Sequence, residues 1–167
     1  MNCRTKFLLA TVLLLAALTS ASCTFELVKP QPPQVVALKS FHNRYVTATG
    51  ESDNWRLKQK TELSDCGRFT LRHLANGKVA LETCHHKYVT APKDGAARED
   101  WTLGQNDSLN DCGQFELYEL GGNRLALKTC AGRFFTAGDG YWPADLAWTL
   151  VGETRNLDAW EIFTVQQ

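Results

Sequence analysis

The sequence predicts an all-β chain of twelve short strands, laid out as three copies of one four-stranded unit. Two observations predict it. The first is a repeat. Leu38-Lys39-Ser40-Phe41 leads to Arg44-Tyr45-Val46-Thr47-Ala48, Leu81-Glu82-Thr83-Cys84 to Lys87-Tyr88-Val89-Thr90-Ala91, and Leu127-Lys128-Thr129-Cys130 to Arg133-Phe134-Phe135-Thr136-Ala137. A Trp-x-Leu follows in each copy (Trp55, Trp101, Trp148), then a closing Phe (Phe69, Phe115, Phe163), with corresponding residues 43 to 48 positions apart. The second is alternation. Val36-Ala37-Leu38, Val79-Ala80-Leu81, Leu125-Ala126-Leu127, Phe69-Thr70-Leu71 and Phe115-Glu116-Leu117 carry the period of two that strands require, and no later segment sustains a helical period.

Each copy therefore supplies a Leu38-type, a Tyr45-type, a Trp55-type and a Phe69-type strand. Ala75-Asn76-Gly77-Lys78 and Gly121-Gly122-Asn123 read as tight turns between such runs. One copy cannot bury its apolar face alone, so the three share a core. The copies span about 35–76, 77–122 and 123–167. Phe69, Phe115 and Phe163 are expected in that core. So are Trp55, Trp101 and Trp148, because a Leu two residues on shares the sheet face of each Trp.

Ahead of the domain at 35–167, residues 1–22 read as a secretory signal. Arg4 and Lys6 precede an apolar run from Phe7 to Leu18, and Thr19-Ser20-Ala21-Ser22 offers small residues for cleavage. The run is too short for a membrane span, which needs about 20 residues. Residues 23–34 form a tail stiffened by Pro30, Pro32 and Pro33. Secretion is expected. Cys23 offers a lipid anchor in the manner of a bacterial lipoprotein, although Ser20 stands three residues before it where Leu is usual.

The chain holds 18 basic and 18 acidic residues, and losing Arg4 and Lys6 leaves a charge near −2. With no basic stripe, nucleic acid and polyanions are excluded as expected partners. Of the six cysteines, Cys3 leaves with the signal and Cys23 is odd. Cys66 and Cys84 are 18 residues apart, as are Cys112 and Cys130. Equal spacing within a repeat, in an oxidising compartment, predicts the disulfides Cys66–Cys84 and Cys112–Cys130. No Cys-x-x-Cys is present, so neither a metal nor a cofactor is expected. Trp160 in the third copy and Phe41 in the first take the cysteine positions, which predicts an aromatic pair where the last copy meets the first.

Asn43-Arg44-Tyr45-Val46-Thr47-Ala48, His86-Lys87-Tyr88-Val89-Thr90-Ala91 and Gly132-Arg133-Phe134-Phe135-Thr136-Ala137, with Gly67-Arg68-Phe69-Thr70-Leu71 and Gly113-Gln114-Phe115-Glu116-Leu117, resemble the β-trefoil fold, and within it the fascin-like, actin-cross-linking superfamily. The resemblance covers the whole domain. It implies the trefoil architecture and, at the level of function, actin binding. The Gln-x-Trp of ricin-type lectins is absent, and the signal and paired cysteines depart from intracellular actin bundlers.

The loop Gly138-Asp139-Gly140-Tyr141-Trp142-Pro143-Ala144-Asp145 stands out, because the matching loops at 49–54 and 92–100 hold no aromatic residue. Adjacent rings beside carboxylates suit sugars: a ring stacks on C–H faces and acids accept from hydroxyls. Asp139, Tyr141, Trp142 and Asp145 are the candidate ligand residues; the alternative is that a ring folds back as a lid. His42, His85 and His86 read as solvated loop histidines, and Asn106-Asp107-Ser108 is a glycosylation sequon. No catalytic motif is present, so an enzyme is not expected. The expected function is a secreted, non-catalytic binding module for a glycan. A protein-binding trefoil, as protease inhibitor or secreted effector, is the alternative, and an actin cross-linker a further one.

Overall fold

The computed structural model describes residues 31–93, 101–142 and 146–167. The expected signal at 1–22, Cys23 and Asp145 lie outside the described residues. Among the described residues twelve strands form: β1 (Gln34–Lys39), β2 (Tyr45–Ala48), β3 (Leu57–Lys60), β4 (Arg68–His73), β5 (Val79–Glu82), β6 (Tyr88–Thr90), β7 (Gly104–Asn106), β8 (Glu116–Gly121), β9 (Arg124–Lys128), β10 (Phe135–Ala137), β11 (Leu150–Gly152) and β12 (Phe163–Gln166). Short 3-10 turns, such as Asp65–Gly67 and Asp111–Gly113, are the helical segments among the described residues.

Six strands pair in the order β5-β4-β1-β12-β9-β8. The ends of that row meet through Val79 and Phe115, whose backbones exchange hydrogen bonds of 2.9 and 2.8 Å. The row is therefore a closed barrel without edges, which removes the usual liability of an open sheet. The other six strands form three hairpins, β2–β3, β6–β7 and β10–β11. They touch at one end of the barrel, where Leu57 N–H donates to Leu103 O at 3.1 Å and Leu103 N–H to Leu150 O at 2.9 Å.

The core is built in triplets, one residue from each copy. Leu38, Leu81 and Leu127, then Val46, Val89 and Phe135, then Leu57, Leu103 and Leu150, then Phe69, Phe115 and Phe163 are all at most 1% exposed. Fully burying such side chains stabilises by about 1.5–3 kcal/mol each. Cys66–Cys84 and Cys112–Cys130 are both formed, with Cα separations of 5.0 and 4.9 Å. Each ties the turn before the fourth strand of one lobe to the first turn of the next.

Trp55, Trp101 and Trp148 correct the sequence reading: they are half-buried and lie outside the core. Trp55 and Trp148 have φ of 56° and 59°. A bulky residue in the left-handed region is uncommon, and it breaks the two-residue register with the following Leu. The strands begin at Leu57 and Leu150, after the Trp. Each Trp ring instead meets a cation from the next lobe. Lys87 lies over Trp55 at 4.6 Å, Arg133 over Trp101 at 4.0 Å, and Arg44 over Trp148 at 3.7 Å. Such pairs contribute about 0.5–2 kcal/mol.

The junction of the third lobe with the first differs from the other two. His42 separates the expected Phe41–Trp160 pair, its ring edge-on to Phe41 at 5.7 Å, Trp160 at 5.1 Å and Trp148 at 5.7 Å. His85 packs on Trp55 at 5.3 Å in the same manner. Of the three loop histidines, His86 alone is exposed.

Candidate functional site

The loop leaving β10 is fixed at its base by backbone and by the first lobe. Gly138 N–H donates to Thr149 O at 3.0 Å, and Trp148 N–H to Asp139 O at 3.1 Å. Gln59 donates its amide to Gly138 O at 2.7 Å, and a His42 ring nitrogen lies 3.1 Å from Ala137 O. Glycine is required twice. A Cβ on Gly138 would sit 2.5 Å from the Trp142 ring, and one on Gly140 2.7 Å from the Trp148 ring.

Those contacts separate the two candidate aromatics. Trp142 folds back onto Gly138 of its own loop and is half-buried. Tyr141 is 97% exposed. Asp139 Oδ1 accepts the Tyr141 N–H at 3.0 Å, an Asx turn that sets the direction of the tyrosine. The structure thus brings Asp139 and Tyr141 together and turns Trp142 inward.

Two grooves were not legible as sites. One, of about 460 Å3, lies where the first lobe meets the second and is lined by Ser52, Asp53, Lys60, Ser64, Asp65 and His85, among others. Its counterpart in the third lobe, of about 310 Å3, is lined by Thr136, Glu153, Asn156, Asp158, Trp160 and Glu161, with Thr154. Glu161 stands where the other lobes have Gly67 and Gly113, whose added Cβ would meet Leu63 at 2.9 Å and Leu109 at 3.1 Å. The third lobe accommodates a side chain there: Leu157, the counterpart of those leucines, is 40% exposed.

Glu161 is itself 3% exposed, and its carboxylate accepts the Asp158 N–H at 2.9 Å in a capping box. Burial pushes the Glu161 carboxyl above the ordinary carboxylate range, with the Thr136 hydroxyl and the Asp158 backbone pulling the other way. The glycine-to-glutamate exchange was the available signal, since it breaks an otherwise regular repeat.

No family model matches the chain, and no curated protein matches it in sequence. Solved structures do match it. The designed threefold-symmetric protein ThreeFoil superposes with a TM-score of 0.63 at 16% identity, over 80% of this chain and 98% of that one. SeviL bound to asialo-GM1 saccharide gives 0.62 at 10% identity, over 81% and 98%. The BEL β-trefoil gives 0.63 at 12% identity, over 83% and 97%. The chain is a β-trefoil. At these identities the likeness is one of fold, and the fascin-like resemblance rests on the sequence motifs.

Proposed function

We propose that this β-trefoil is an exported, non-catalytic carbohydrate-binding module, with Tyr141 and Asp139 at its binding surface. The observation that carries the reading is the tyrosine: a ring 97% exposed on a loop held from several sides. Aromatic residues bring large apolar faces that chains normally bury. A face kept open and preorganised suits stacking on the C–H side of a sugar, while the Asp139 carboxylate is placed to accept from a hydroxyl. Preorganisation lowers the ordering cost of binding. A trefoil of similar fold is known bound to a saccharide, which is consistent with this reading. Two disulfides accord with export, and among the described residues no helix is long and apolar enough to cross a membrane.

The test is a glycan array on the oxidised chain, repeated with Tyr141→Ala. The expected result is binding to a restricted glycan set, weakened at least tenfold in the variant at unchanged thermal stability. An array without binding, or binding indifferent to the change, rejects the proposal.

One observation favours a protein partner as the second reading. Phe41, in the first turn of the first lobe, is 62% exposed and offers an apolar ring that sugar hydroxyls do not need. Inhibition across a protease panel, lost in Phe41→Ser, would establish that reading instead.

A further inference from the structure

The two disulfides occupy equivalent places but have different neighbours. Beside Cys112–Cys130 the residue after the second cysteine is Ala131; beside Cys66–Cys84 it is His85. The His85 Nε2 lies 4.0 Å from the Cys66 sulfur. The two sulfurs and a His85 ring nitrogen all lie within 4.8 Å of one another. His85 is also fixed: its ring packs edge-on against Trp55 at 5.3 Å, and its backbone N–H donates to Thr83 Oγ1 at 3.3 Å. Cys66 and His85 both line the groove where the first lobe meets the second, so the cluster is open to solvent on one side.

We propose that reduction of Cys66–Cys84 converts this cluster into a binding site for a zinc-type divalent ion, with Cys66, Cys84 and His85 as its ligands. The chemistry balances with a thiol as reductant. Two thiols of the glutathione class reduce the bridge, become one disulfide, and leave Cys66 and Cys84 as thiols. The ion then displaces one proton from each thiol and takes a lone pair from neutral His85, so two protons are released.

Thiolate and imidazole are the ligands that tetrahedral zinc selects. At Zn–S distances of about 2.3 Å, two sulfurs on one tetrahedral ion are about 3.8 Å apart. Rotation about the cysteine χ1 angles supplies that separation on a backbone whose Cα atoms are 5.0 Å apart. Asp65 lines the same groove as Cys66 and His85, so a carboxylate or water is available as a fourth ligand. While oxidised, the bridge occupies both sulfurs and the ion is excluded, so the site is gated by thiols.

The second disulfide is the internal control, because Ala131 offers no ligand. This inference is independent of the glycan reading and uses none of its residues.

The full chain, reduced with a phosphine and desalted without oxygen, is titrated with Co2+ as the probe, then with Zn2+ in competition. The expected result is one equivalent of tetrahedral cobalt with thiolate-to-metal absorption, a change in tryptophan emission through Trp55, and displacement by zinc. The oxidised chain gives none of these. Cys112→Ser/Cys130→Ser retains the site and Cys66→Ser/Cys84→Ser abolishes it. His85→Ala weakens it at least tenfold, and Ala131→His adds a second equivalent. Equal binding by the oxidised chain, by Cys66→Ser/Cys84→Ser or by His85→Ala overturns the proposal. So does loss of the near-ultraviolet dichroism of the fold on reduction.

Discussion

Replacing Phe41 and Trp160 together by cysteine is expected to create a third disulfide that staples the ring of lobes closed. The pseudo-threefold axis places these positions where the other lobes carry Cys66–Cys84 and Cys112–Cys130, whose Cα separations are 5.0 and 4.9 Å. Both lie inside the window that an unstrained bridge needs. A histidine beside the bridge is tolerated, because His85 packs on Trp55 next to Cys66–Cys84 just as His42 packs on Trp148.

The magnitude follows from loop length. Closing the native loops of 18 residues stabilises by about 3 kcal/mol each in the chain-entropy picture. The new bridge closes a loop of about 120 residues and is worth about 4.9 kcal/mol. Against this stands the loss of two aromatic side chains. Phe41 is 62% exposed and contributes little. Trp160 is half-buried with one edge on His42, and its removal costs about 2 kcal/mol. The net gain is about 3 kcal/mol, or roughly 10 °C in the unfolding midpoint. Thiol titration and mass spectrometry count the bridges, and urea unfolding with and without reductant isolates the new one. Failure of positions 41 and 160 to bridge on oxidation, or a bridged chain no more stable than its parent, refutes the threefold argument.

Phe115→Ala empties a core position that is fully buried and is expected to cost about 3–5 kcal/mol by urea unfolding. Tyr141→Ala is expected to change stability by less than about 0.5 kcal/mol, since the side chain is 97% exposed, so any effect on binding is separable from folding. Glu161 gives a pH prediction. Its folded pKa is raised, so the folded chain holds this proton more tightly than the unfolded one, and the contribution is present at low pH and lost as pH rises through the elevated value. Glu161→Gln keeps an acceptor for the Asp158 N–H and removes the titration. The stability difference between variant and parent, by denaturant unfolding across the weakly acidic range, should move in favour of the variant as pH rises; a flat difference refutes the assignment.

The parts of the fold that were legible in the sequence are those that the threefold axis forces to repeat. Leu38, Leu81 and Leu127 recur because they meet at one axis, and so do Phe69, Phe115 and Phe163. The cysteine pairs were legible for the same reason. The tryptophans also repeat, yet their environment was misread, because repetition shows that a position matters and not which way its side chain turns. Alternation assumes extended backbone on both sides of the intervening residue, and Trp55 and Trp148 are left-handed. A second repeat held the missing information. Arg44, Lys87 and Arg133 recur in step with the tryptophans, and an aromatic repeated alongside a cation suggests that the two meet.

At the candidate site, the loop aromatics were legible as an irregularity, but their opposite fates were not. Only the close approach of Trp142 to Gly138 and of Trp148 to Gly140 decides which ring points inward. The grooves are assembled from residues far apart in sequence, such as Asp53, Asp65 and His85, and no local pattern announces them.

The irregularities of the third lobe argue together. Gln59 and Gln105 tie each hairpin to the neighbouring lobe, through Gly138 O at 2.7 Å and Thr49 O at 2.8 Å, and the third lobe has Gly152 instead. The disulfide gives way to Phe41, His42 and Trp160, a buried Glu161 replaces a glycine, and the hairpin loop gains Tyr141 and Trp142. None of these changes is demanded by the core, whose triplets stay apolar through all three lobes. A threefold fold is satisfied by three like lobes, and two of them keep the cross-tie, the bridge and the glycine. The departures concentrate in one lobe and its junction with the first, and they place a buried carboxyl and a fully exposed aromatic there. That localisation separates what the shared core requires from what it leaves free to vary, and the free positions gather at the junction of the last lobe with the first.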